Sequence, residues 1–147
     1  MKRTFLATFL SIVFAMVAVA CHSSDEKEIG YTELPVQAQQ FVKQYFPSAT
    51  YTYVEKDNGK WEYEATLSDG TKIDFNNKGE WKSVDCKFSA LPSGIIPDVI
   101  VADIAKRYPS QQPYKIEKEI GGYEIDIPGY DLYYTSAGNF IRAEIDR

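Results

Sequence analysis

The spacing of apolar residues divides the chain into stretches of different character. From Phe5 to Ala20 the sequence is almost unbroken apolar over 16 residues. From His22 to Glu28 it is polar and charged with no periodic face. Helical spacing follows: Ala38, Phe41, Val42, Tyr45 and Phe46 fall on one stripe, and Ile100, Val101, Ile104, Ala105 and Tyr108 fall on a second. Pro35 and Pro97 suit a first helical position, where a missing N–H costs nothing. Pro47 and Pro109 bar continuation and mark the two stops.

After each helix the period drops to two. Tyr63, Ala65 and Leu67, together with Trp61, share one side of a strand, as do Ile73 with Phe75, Tyr123 with Ile125 and Ile127, and Leu132 with Tyr134. Val54 and Ile116 are expected to point to the same side, and Val84, Cys86, Ile141, Ala143 and Ile145 read as internal too. Asp57-Asn58-Gly59, Asp69-Gly70, Asn77-Lys78-Gly79, Gly121-Gly122, Pro128-Gly129 and Ala137-Gly138 cut these runs as hairpin turns do.

The pattern is written twice. Leu34-Pro35 recurs as Ile96-Pro97, Phe46-Pro47 as Tyr108-Pro109 and Val54-Glu55-Lys56 as Ile116-Glu117-Lys118, each 62 residues on. Tyr63-Glu64 recurs as Tyr123-Glu124 at 60, and Gly79 and Trp81 recur as Gly138 and Phe140 at 59. An offset that changes only at turns points to internal duplication. The expected fold class is α+β: two tandem repeats, each one helix followed by a four-stranded antiparallel meander, with the helices on one face. The repeats are placed at about residues 31–88 and 91–147, with room for one continuous sheet of about eight strands.

The leading segment changes the cellular picture. Lys2 and Arg3 precede the apolar run, which is shorter than the roughly 20 residues that span a bilayer. Ala18-Val19-Ala20 then meets Cys21, the arrangement of a bacterial lipoprotein signal in residues 1–20 with acylation at Cys21. An ordinary secretory signal with an incidental cysteine is the competing reading. Residues 21–30 read as a polar tether, and the expected location is the envelope, on the periplasmic or the surface-facing side of the outer membrane. Removing the leader leaves 14 basic against 21 acidic side chains, a poor match to phosphate-rich nucleic acid. With Cys21 acylated, Cys86 has no partner and reads as a buried free thiol.

Chemistry is sparse. His22, the only histidine, lies in the tether, and no nucleophile elbow, phosphate-binding loop or zinc motif occurs. Glu62 with Glu64 and Glu124 with Asp126 share a strand face, the arrangement of a solvated sheet surface as well as of paired catalytic carboxylates. With Asp74 and Asp131 they offer oxygen ligands, but without the spacing of a calcium loop. Neither catalytic residues nor a metal or other cofactor is expected. The uncovered sheet face is expected to carry Tyr51, Tyr53, Trp81, Tyr133 and Phe140, provided that no bulge precedes the fourth strand of each repeat.

Leu34-Pro35, Tyr45-Phe46-Pro47, Trp61-Glu62-Tyr63-Glu64-Ala65, Asp69-Gly70, Asp74-Phe75 and Gly79-Glu80-Trp81 resemble the PepSY-like, beta-lactamase-inhibitor-like family of exported bacterial proteins. Tyr123-Glu124-Ile125, Gly129 and Gly138-Asn139-Phe140 stand for the same positions further on. The resemblance covers about residues 31–147 and implies tandem α+β repeats and protein binding or inhibition. Pro128-Gly129 in place of Asp69-Gly70, and Phe140 in place of Trp81, depart from it. Two function classes follow: an envelope-anchored binding or inhibitory module using the open face, or a structural or small-ligand-sensing lipoprotein with a groove between the repeats.

Overall fold

The computed structural model describes residues 26–60, 62–87 and 89–146. The signal segment, Cys21 and Trp61 lie outside the described residues. The chain forms one antiparallel sheet of nine strands whose spatial order is the chain order. The strands are β1 (Glu26–Glu28), β2 (Tyr51–Asp57), β3 (Glu62–Leu67), β4 (Lys72–Asn76) and β5 (Trp81–Asp85), then β6 (Lys115–Glu119), β7 (Gly122–Ile127), β8 (Tyr130–Thr135) and β9 (Phe140–Ile145). Helices α1 (Val36–Tyr45) and α2 (Asp98–Arg107) cover one face.

This corrects the expected fold class. The molecule is mostly β, one nine-stranded sheet with two helices, and not two units of a helix plus a four-stranded meander. Two physical causes act. At the middle of the chain β5 hydrogen-bonds directly to β6, with Ser83 opposite Glu117 and Val84 opposite Ile116, so no boundary interrupts the ladder. At the leading end, Glu26, Lys27 and Glu28 pair with Asp57, Lys56 and Glu55. Part of the stretch read as a tether is therefore an edge strand.

The helices begin one residue later than expected: Pro35 and Pro97 are the N-caps, and Val36 and Asp98 open the helical turns. Phe46 and Tyr108 cap the other ends, donating their N–H groups to the Val42 and Ile104 carbonyls before each proline. Ala38, Val42 and Phe46 from one helix region and Ile100 and Ile104 from the other are buried against Val54, Ala65, Leu67, Ile73, Phe75, Val84, Ile116, Ile125, Ile127, Leu132 and Tyr134. Val101 and Ala105, read as part of the α2 stripe, are exposed. Cys86 is buried as a free thiol, and burial pushes its pKa up.

Two turn glycines lock the helices to the sheet. Gly79 and Gly138 both sit at positive φ, +85°. A Cβ on Gly79 would lie 2.7 Å from Pro35 Cβ, and one on Gly138 would lie 2.3 Å from Val99 Cγ1. Each β-turn thus abuts the start of a helix so closely that a side chain on the glycine would clash. The last strand departs from expectation. Ile141, Ala143 and Ile145, all read as internal, are exposed, the isoleucines at 53% and 71%, because β9 forms the sheet margin.

Candidate functional site

Strand alternation gives the sheet an uncovered face opposite the helices. Directly opposed residues form a row across all nine strands: Glu28–Glu55–Glu64–Asp74–Ser83–Glu117–Glu124–Tyr133–Arg142. Four successive carboxylates open the row and two more follow Ser83. Neighbouring strands are about 4.8 Å apart, and like charges directly opposed destabilise a sheet. In water two such charges repel by roughly 0.8 kcal/mol, and by more where the surface is partly desolvated. Like charges opposed in this way work against folding rather than for it.

Cations relieve the repulsion only in part. Lys72 Nζ lies 2.8 Å from Glu64 Oε1, and Lys82 pairs with Glu62. Lys115 Nζ sits 3.3 Å from Asp126 Oδ2 and 3.6 Å from Glu117 Oε2. Burial, and then the neighbouring Glu64, raise the pKa of Asp74. Asp126 is only 8% exposed and its Oδ1 has no hydrogen-bond partner. Burial pushes its pKa up to about 6 against the opposing pull of Lys115.

Only two of the five expected aromatics lie on this face. Tyr53 is 38% exposed and donates its hydroxyl to Glu55 Oε2 at 2.8 Å. Tyr133 lies under the Arg142 guanidinium, 3.7 Å from its ring centroid, and burial together with a hydrogen bond to Glu124 pushes its phenol up to about 12. The placement of Tyr51, Trp81 and Phe140 is corrected by three β-bulges. Register shifts fall between Tyr51 and Tyr53, between Asp74 and Phe75, and between Tyr133 and Tyr134. Each bulge inserts one residue and flips the aromatic to the helix side. Trp81 packs against Phe41 of α1 beneath the Lys118 ammonium, 3.9 Å from the ring centroid. Phe140 packs edge-on to Tyr134 beneath Arg107, also at 3.9 Å. Tyr51 stacks on Tyr31 at 5.2 Å.

Sequence reading missed a second feature, because its residues come from segments read separately. Tyr31, Val36, Val42, Phe46, Ala49 and Tyr51 line an apolar groove of about 380 Å³ beside α1. The Tyr51 hydroxyl is buried there without a hydrogen-bond partner. The cavities described do not open at the β5–β6 seam, where Val84 and Ile116 are fully buried. Among the described residues, no three His, Cys, Asp or Glu side chains are grouped to hold a metal ion.

Comparison with known proteins agrees with this geometry. A family model described as "Putative beta-lactamase-inhibitor-like, PepSY-like" matches residues 19–66 and 61–142. A crystal structure from Bacteroides vulgatus, of a "putative periplasmic protein" of the DUF2874 family, is 31% identical with a TM-score of 0.78. The match covers 83% of this chain and 98% of that one. A "putative calcium-regulated periplasmic protein" from Bacteroides thetaiotaomicron is 32% identical with a TM-score of 0.77, covering 82% of this chain and 97% of that one. A second Bacteroides vulgatus structure, of a "putative periplasmic protein of unknown function", is 29% identical with a TM-score of 0.76, covering 81% and 98%. No curated protein matches the chain.

Proposed function

The chain belongs to the PepSY-like, beta-lactamase-inhibitor-like family, and from that premise we propose that it is an exported, non-enzymatic binding module that docks a basic surface of another exported protein on its open sheet face. The carboxylate row carries this reading. It spans the sheet at the strand spacing, opposes like charges that a purely structural surface would separate, and leaves Tyr53 and Tyr133 as rigid anchors beside it. Acidic complementarity steers a cationic partner and sets orientation, while the tyrosines supply buried area. The periplasmic description of the related structures supports export. Attachment through an acylated Cys21 belongs to the same proposal and is checked by fatty-acid labelling of wild type against Cys21→Ser.

Residues 22–147, which hold every described element, serve as bait in envelope extract. The expected result is a basic partner that is released by salt, lost by Tyr53→Ala with Tyr133→Ala, and kept by Trp81→Ala. Capture that is indifferent to salt and to both tyrosines overturns the reading.

The apolar groove favours a second reading, small-ligand binding. Its volume falls in the range of ligand pockets, and the partnerless Tyr51 hydroxyl points to a polar group as its complement.

A further inference from the structure

The two margins of the sheet are built differently. β1 is three residues long and all charged, with Glu26, Lys27 and Glu28 exposed. Two copies of β1 paired antiparallel about Lys27 would oppose Glu26 to Glu28 and Lys27 to itself, so every contact repels. Short, charged margins of this kind prevent edge-to-edge association.

β9 has six residues, two of them exposed isoleucines, and among the described residues no strand pairs with its outer side. Its hydrogen-bonding parity follows from the ladder with β8. The Asp146 N–H donates to the Gly129 carbonyl at 3.2 Å, and Glu144 and Arg142 stand opposite Asp131 and Tyr133 in step with it. Ala143 and Ile145 therefore turn their N–H and C=O groups outward, away from β8. Arg142 and Glu144 point to the open face on either side of Ala143, and both are about half exposed.

We propose that β9 is a self-association edge, at which a second copy of this chain adds antiparallel about Ala143 to continue the sheet. In that register Ala143 faces Ala143 of the second copy in a reciprocal hydrogen-bonded pair. Arg142 faces Glu144 in the adjacent non-hydrogen-bonded pairs, where side chains approach closest. Ile145 of each copy lies beside the seam, and Ile141, the extra residue of the β-bulge, falls outside the paired register. Shifting the register by two in either direction sets Arg142 against Arg142 or Glu144 against Glu144. The two-fold axis stands perpendicular to the sheet, so the helices and the carboxylate face of each copy stay on their own sides of one continuous surface. One six-residue strand buries less than the roughly 1,200 Å² at which stable interfaces begin, so the association is weak and reversible.

Sedimentation of residues 22–147 from about 10 µM to about 1 mM tests the register. Wild type is expected to pass from monomer to dimer across that range. Arg142→Glu and Glu144→Arg are each expected to weaken association at least tenfold, and an equimolar mixture of the two to restore it. Ala143→Pro removes only the outward N–H and is expected to give a monomer with an unchanged circular dichroism spectrum. A wild type that stays monomeric at about 1 mM overturns the proposal. So do charge variants that dimerise as wild type does, and so does a mixture that stays monomeric.

Discussion

Asp126→Asn is the sharpest test of the open face. The carboxyl is buried, Oδ1 lacks a donor, and Asp131 and Glu124 add negative potential, while Lys115 offers one ion pair. The folded-state pKa of about 6 lies above the ordinary 3.8. Between those two pH values the native state binds more protons than the unfolded chain. The group's contribution to stability is therefore full below pH 3.8, falls as pH rises through the window, and stays low above about pH 6. At about 1.4 kcal/mol per pH unit the cost at neutral pH is on the order of 3 kcal/mol. An asparagine of the same shape does not ionise. The variant should match wild type near pH 4 and exceed it by about 2–3 kcal/mol at pH 7.5, a gain of several degrees in thermal midpoint. Urea titrations at half-unit pH intervals, followed by circular dichroism, give the two curves. Other carboxylates contribute equally to both proteins, so the difference between them isolates Asp126. Parallel curves would refute the reasoning, since they would place the native titration where a free aspartate titrates.

Two further substitutions check the packing. Gly138→Ala should cost at least 2 kcal/mol more than Gly129→Ala in chemical denaturation: both glycines share a φ near +86°, but only at Gly138 does the added Cβ meet Val99, whereas Gly129 has open space. Equal costs would mean that the turn can withdraw from the α2 terminus. Trp81→Ala should cost about 2 kcal/mol, the loss of a half-buried ring between Phe41 and Lys118, and an unchanged thermal midpoint would return Trp81 to the open face.

Much of the helix-facing side was legible from spacing alone. Val54 and Ile116, Phe75 and Tyr134 fall where period-two alternation puts them, and the paired prolines bracket both helices. The open face was legible only in its charge. Counting back by twos from Val84 sends Trp81 outward, and one bulged residue reverses the answer. The residues at these bulges, such as Lys82 and Ile141, carry no glycine or other local signal. β1 escaped notice for a related reason, since a strand exposed on both faces shows no apolar alternation. The 59–62-residue offset carried the order of elements but not whether the ladder stops between β5 and β6, which depends on hydrogen bonds that any exposed strand edge can offer.

The agreement between strand order and chain order has a mechanical consequence. β1 and β9 lie at opposite margins, about 38 Å apart at the usual strand spacing. Tension applied between the two ends of the domain runs along the inter-strand hydrogen bonds rather than along the strands. Such a load opens one ladder at a time, starting from whichever margin yields first. It never has to shear a whole strand past its neighbour. The domain should therefore extend at low force and in steps, a compliant link that yields under pull one strand at a time.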